Sequence, residues 1–142
     1  MTGVNILLVE DDEVDVMAVK RAFHELKIAN PLTEAKDGIE ALEILRGVNG
    51  YVPIPRPLII LLDLNMPRMG GMEFLDELRK DPDLHRCVVF IMTTSADERD
   101  RARAYDKNVA GYVLKHDPGR SFMDAIAMLQ HYWRVVELPD MK

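Results

Sequence analysis

The run Leu58-Ile59-Ile60-Leu61-Leu62, followed at once by Asp63, constrains this chain more than any other feature. Unbroken apolar residues with turn signals behind them fit a strand buried on both faces, as in a parallel sheet covered by helices. Asp63 then stands at the carboxyl end of that strand, where open α/β sheets gather ligands and chemistry. Pro67 and the pair Gly70-Gly71 force a loop before the next helix.

The same alternation runs through the rest of the chain. Val4 to Val9 reads as a buried strand ending in Glu10-Asp11-Asp12. A helix is expected from Glu13 to Lys27, with Val14, Ala18, Ala22 and Leu26 at helical spacing and Val19 and Phe23 beside them. Asp12 is its expected N-cap, Asp15 belongs to an acidic first turn, and Asn30-Pro31 breaks it. Leu32 to Ala35 reads as an edge strand and Ile39 to Leu45 as a short helix. A loop from Gly47 to Pro57 leads into the central strand. Beyond Asp63 come a helix from Gly71 to Lys80 and a strand from Val88 to Met92 followed by Thr93. A polar helix from Asp97 to Lys107 has little to bury and is expected to be the most loosely held element. The strand Gly111 to Leu114 ends in Lys115, and Asp117-Pro118 opens a final helix carrying Phe122, Ile126, Leu129, Trp133 and Val136.

Five strands alternating with five helices imply a flavodoxin-like, doubly wound (βα)5 parallel sheet in the order 2-1-3-4-5. The reading is one domain over residues 1–142, with a core from about 4 to 136 and no effector domain after it. A formal net charge of −6 opposes nonspecific binding to nucleic acid or to an anionic membrane. No apolar run is long enough to cross a bilayer and the N-terminus lacks a signal-peptide pattern, so a cytoplasmic setting is expected. The single cysteine, Cys87, reads as a small core residue.

Polar residues follow each buried strand: Glu10 and Asp11, Asp63, Thr93, and Lys115. Each alone is most simply a cap or a solvated charge. In a parallel sheet they converge on one edge, and three carboxylates there are unfavourable unless a cation joins them. Hard oxygen ligands suit Mg²⁺, which with Lys115 brings the formal charge to zero and admits an incoming phosphoryl group. A carboxylate attacking phosphorus forms an acyl phosphate, with positioning and charge neutralisation supplying the catalysis.

Over nearly its whole length the chain resembles the receiver domain of two-component response regulators. The resemblance rests on Val9-Glu10-Asp11, Ala35-Lys36-Asp37-Gly38-Ile39-Glu40-Ala41-Leu42, Asp63-Leu64-Asn65-Met66-Pro67 with Gly70, Thr93 and Lys115, in that order and spacing. It implies that Asp63 receives phosphate from a histidine kinase and that Glu10, Asp11, Asp63 and the backbone carbonyl of Asn65 hold Mg²⁺. It implies that Lys115 pairs with Asp63 and then with the phosphoryl oxygens. Thr93 would move its hydroxyl onto the phosphoryl group, with Tyr112 swinging inward behind it. Asp12 is assigned to the helix cap rather than to the metal. Such a domain is no enzyme in the usual sense, but it assists its own phosphotransfer and dephosphorylation.

The sequence departs from the common pattern at His116, where proline usually follows the lysine, and at Thr94, where a small residue is usual. The 47–57 loop, Thr93-Thr94-Ser95 and the ending from Tyr132 to Pro139 resemble the single-domain regulators paired with bacterial phytochrome kinases. A phytochrome-type histidine kinase is therefore the expected partner. Met128, Tyr132 and Val135 form a second apolar stripe on the last helix, which suits a homodimer. The rival readings are an aspartate-nucleophile phosphohydrolase, a flavin carrier and a receiver-like scaffold that is never phosphorylated. The hydrolase would place a second acid where Asn65 stands. The acidic Glu10-Asp11-Asp12 would repel a flavin phosphate.

Overall fold

The computed structural model describes residues 3–139. Its elements are β1 (Asn5–Val9), α1 (Glu13–Glu25), β2 (Leu32–Ala35), α2 (Gly38–Arg46), β3 (Leu58–Leu62), α3 (Gly71–Lys80), β4 (Val88–Thr93), α4 (Glu98–Asp106), β5 (Gly111–Leu114) and α5 (Phe122–Val135). All neighbouring strands pair in parallel, in the order β2-β1-β3-β4-β5, as the alternation requires.

β3 is central and every residue in it is buried. Its alternating side chains feed two cores, which explains the unbroken apolar run. Leu58, Ile60 and Leu62 pack with Ala41 and Leu45 of α2 and with Phe74 and Leu78 of α3. Ile59 and Leu61 pack on the other face with Val19 and Phe23 of α1 and with Ile126 and Trp133 of α5. Two apolar layers around one sheet are the expected solution for this fold class.

The helix boundaries show local rules at work. α1 buries Val16, Val19, Ala22 and Phe23, whereas Val14 is 75% exposed, so the core stripe lies to one side of the expected one. α1 also ends before Lys27. That residue takes a left-handed conformation (φ 56°), and the Lys27 and Ile28 N–H groups bond back to His24 and Phe23. This is a Schellman ending, closed by burial of Ile28. α2 stops at Gly47, also left-handed, where a Cβ would strike the Pro53 ring.

The last helix begins later than Asp117-Pro118. Residues 117–120 instead form a tight turn, with an isolated bridge between Asp117 and Arg120 and the Gly119 N–H donating to Asp117 Oδ1 at 2.7 Å. Ser121 then caps α5 through a reciprocal pair with Asp124. The reciprocal cap satisfies two free donors at once and so takes precedence over proline as the start. Of the expected surface stripe on α5, Met128 and Val135 are exposed, but Tyr132 turns inward to meet Phe90 edge-on, with ring centroids 4.8 Å apart.

The 47–57 loop is part of the packing. Ile54 is buried with the α2–α3 core, Tyr51 Oη donates to Glu40 Oε2 at 2.6 Å, and the Asn5 amide donates to the Pro55 carbonyl at 2.9 Å. α4 has little to bury, as its polar sequence implies: Ala104 is its one buried residue.

Candidate functional site

The pairing register fixes where the polar residues emerge. Val9 lies opposite Leu62, and Leu62 opposite Ile91, so Glu10 and Asp63 leave adjacent strands at the same level. The backbone carries the ladder one step further: the Asp63 N–H donates to the Val9 carbonyl at 3.0 Å, and the Lys115 N–H to the Thr93 carbonyl at 2.8 Å. Glu10, Asp63, Thr93 and Lys115 are all buried, on four different strands' carboxyl ends.

Carboxylate oxygens of Glu10, Asp11 and Asp63 lie within 4.8 Å of one another, with Asp11 the exposed member. Lys115 Nζ reaches into this group, 2.5 Å from Glu10 Oε1 and 3.5 Å from Asp63 Oδ1. Burial pushes the Glu10 carboxyl up to about 7, against the pull of Lys115. Burial raises Asp63 as well, again opposed by Lys115. Burial alone would lower the lysine, but hydrogen bonds to Asp15 and Glu10 and the charge of Asp63 hold it above its ordinary value. Three carboxylates against one lysine leave the group short of positive charge. A hard divalent cation fits that oxygen set and that deficit.

Asp12 is placed as the sequence suggests, at the head of α1. Its Oδ1 accepts from the Val14 N–H at 2.9 Å and from the Asp15 N–H at 3.4 Å. Glu10 also reaches this turn, accepting from the Asp12 N–H at 3.1 Å. Asn65 is exposed in the loop after β3. That loop is gripped at both sides. A Cβ on Gly71 would sit 2.5 Å from the Asp63 carbonyl oxygen, so only glycine lets α3 start this close to the strand end. From the other side, buried Asp37 accepts from Arg68 Nε at 2.7 Å while its Oδ1 caps α2 at the Glu40 N–H.

On the far side of the site, Thr93 is fully buried and its Oγ1 accepts from the Ser95 N–H at 3.3 Å. Tyr112 is half-buried and its hydroxyl donates to the Ser95 carbonyl at 2.8 Å. Both residues therefore hold the β4–α4 connection at Ser95. Ser95 in turn donates to Asp100 Oδ2 at 2.6 Å, which ties that connection to α4. The Lys115–His116 bond is trans; the one cis peptide among the described residues is Arg56–Pro57.

Sequence reasoning assigned no site role to Asp15. Its Oδ2 lies 2.8 Å from Lys115 Nζ, making a fourth carboxylate at the lysine's end of the site. Its position in the first turn of α1 was the only signal, and it reads equally as a partner of the helix dipole. Asp37 and Arg68 were likewise missed as a pair, since nothing in sequence announces an ion pair between loops.

Comparison with known proteins agrees with this geometry. The model for "Response regulator receiver domain" matches residues 6–127. The curated response regulator Rcp1 of Synechocystis is 35% identical over 135 residues, covering 94% of this chain and 92% of that protein. The crystal structure of the phosphorylated cyanobacterial phytochrome response regulator RcpA superposes with a TM-score of 0.87 at 31% identity, covering 98% of this chain and 100% of the other. The Mn²⁺-bound form of Rcp1 superposes with a TM-score of 0.80 at 36% identity, with the same coverage. The chain belongs to the response regulator receiver domain family.

Proposed function

We propose that Asp63 accepts a phosphoryl group from the phosphohistidine of a histidine kinase. The observation that carries this reading is the meeting of three carboxylates and a buried lysine at the carboxyl edge of the sheet. A carboxylate oxygen of Asp63 attacks phosphorus, the bond from phosphorus to the imidazole nitrogen breaks, and an acyl phosphate remains on Asp63. Glu10, Asp11, Asp63 and the backbone carbonyl of Asn65 would hold Mg²⁺. When bound, it offsets the acidic charge that would otherwise repel the donor. Lys115 meets the phosphoryl oxygens. Thr93 and Tyr112 respond to the new charge, and because both hold Ser95, their movement would be felt by α4.

The likeness to a phytochrome response regulator supports a phytochrome-type histidine kinase as the donor, in the cytoplasm. The receiver passes its signal by protein contact. A second copy would dock on α5, where Met128 and Val135 are exposed. Sedimentation that stays monomeric at tens of micromolar protein, with and without a phosphoryl mimic, would remove the dimer.

The test of the central reading is incubation with acetyl phosphate and Mg²⁺, followed by intact mass. The expected result is one phosphoryl group on the wild type and none on Asp63→Asn. Sustained turnover of a small phosphate ester would favour a hydrolase instead.

A further inference from the structure

The lysine at the site is shared. Its Nζ is 2.5 Å from Glu10 and 2.8 Å from Asp15, but 3.5 Å from Asp63, beyond a good hydrogen bond. Asp15 comes from α1, three residues past its cap, and its side chain is a quarter exposed. It does not belong to the group of acids close enough to share a cation. With Asp15 counted, the site holds four carboxylates and one lysine, and a divalent cation leaves one negative charge in surplus. A cavity of about 140 Å³ opens beside the ammonium, walled by Leu8, Val19, Leu62, Met92 and Phe122. The lysine head has room to move, and two of its three acids pull it toward β1 and α1, away from Asp63.

We propose that Asp15 is a positioning residue that holds Lys115 in a resting place and must release it before the lysine can engage a phosphoryl group on Asp63. The proposal rests on Asp63 being the phosphoacceptor. Two consequences follow from the charge and the geometry. Asp15 slows capture of an anionic donor, because it adds negative charge and withholds the lysine. It also competes with the phosphoryl oxygens for the lysine afterwards, which shortens the life of the acyl phosphate. Removing its charge frees Lys115 without removing any metal ligand.

The experiment compares wild type, Asp15→Asn and Asp15→Glu with acetyl phosphate and Mg²⁺, by intact mass over time. Asp15→Asn is expected to raise the second-order rate of phosphoryl gain about threefold to tenfold at low salt, the size expected of one unit charge near the site. The gap should shrink as salt is added, since a partly exposed charge is screened. Asp15→Glu should return the rate toward wild type, and the Mg²⁺ dissociation constant should stay within about threefold throughout. A purely structural role would give no salt dependence and no rescue. The ¹⁵N resonance of the Lys115 ammonium gives a readout independent of phosphorylation and should shift in Asp15→Asn. A folded Asp15→Asn that gains phosphoryl no faster than wild type, or a gap that salt does not touch, overturns the proposal. A wild type that gains no mass at all is a different result: it removes the phosphoacceptor reading, and the proposal with it.

Discussion

Two cations in this molecule, Arg79 half-buried and Lys115 buried, are treated in opposite ways. Arg79, on α3, gives its donors to four backbone carbonyls: Lys107 at 2.8 Å, Asn108 at 2.9 Å, His85 at 2.7 Å and Cys87 at 2.8 Å. No carboxylate is among those contacts. Burial lowers its pKa, yet each bond is geometrically complete. Lys115, by contrast, sits among carboxylates that outnumber it, and two of them, Glu10 and Asp63, are pushed upward by burial. The first cation ties the end of α4 and the start of β4 to α3. The second leaves a charge deficit at the edge of the sheet. A structural charge is satisfied by its surroundings; a reactive one is left in want of another ion.

The comparison can be broken most severely at Asp63. Asp63→Asn should abolish phosphoryl gain while leaving thermal stability equal to or above wild type, because it removes a crowded carboxylate. Arg79→Met should do the reverse. Four backbone carbonyls lose their donor, the buried Cys87 carbonyl among them, so we expect a loss of roughly 2 kcal/mol, seen as a melting temperature lower by about 6 °C, with phosphoryl gain intact below the transition.

Asp37 sharpens the comparison because it is a buried acid with its own cation. Burial would raise it, but hydrogen bonds from Arg68 and the Glu40 N–H, with the Arg68 charge, hold it below the ordinary 3.8. A depressed native pKa gives stability that is present above 3.8 and lost as pH falls through the native value. Denaturant titrations of Asp37→Asn should show lower stability near neutrality and a flatter acid limb than wild type. The smallest effect separates neighbours in sequence. Asp12→Ala should cost about 1 kcal/mol in urea unfolding through loss of the α1 cap. It should leave Mg²⁺-dependent phosphorylation in place, whereas Asp11→Ala should abolish it; the reverse pattern would exchange their assignments.

How much of this was legible beforehand follows from the range of each interaction. The central strand, the parallel order and the residues at the strand ends were readable because period and register are local and repeat along the chain. Glu10, Asp63, Thr93 and Lys115 emerged together because each ends or directly follows its strand. The core face of α1 was misread because Val14 and Val16 are both apolar, and only packing against Phe90 and Ile126 decides between them. The start of α5 was misread because the 117–120 turn competes locally with a helix, and the Ser121–Asp124 pair settles the contest three residues further on. Nothing in the sequence singles out Arg79. Its four carbonyls lie in segments that come together only in the finished fold. Asp15 belongs to the same class: its partner is a hundred residues away in the chain.

The account turns on the carboxyl edge of the sheet being short of positive charge until a divalent cation is bound. The most direct measurement is the initial rate of phosphoryl gain from acetyl phosphate as Mg²⁺ is titrated into protein stripped of metal. The account predicts no gain without the cation, a rise that saturates with it, and no response in Asp63→Asn. Equal gain in the presence of a chelator, or gain that persists in Asp63→Asn, would contradict it.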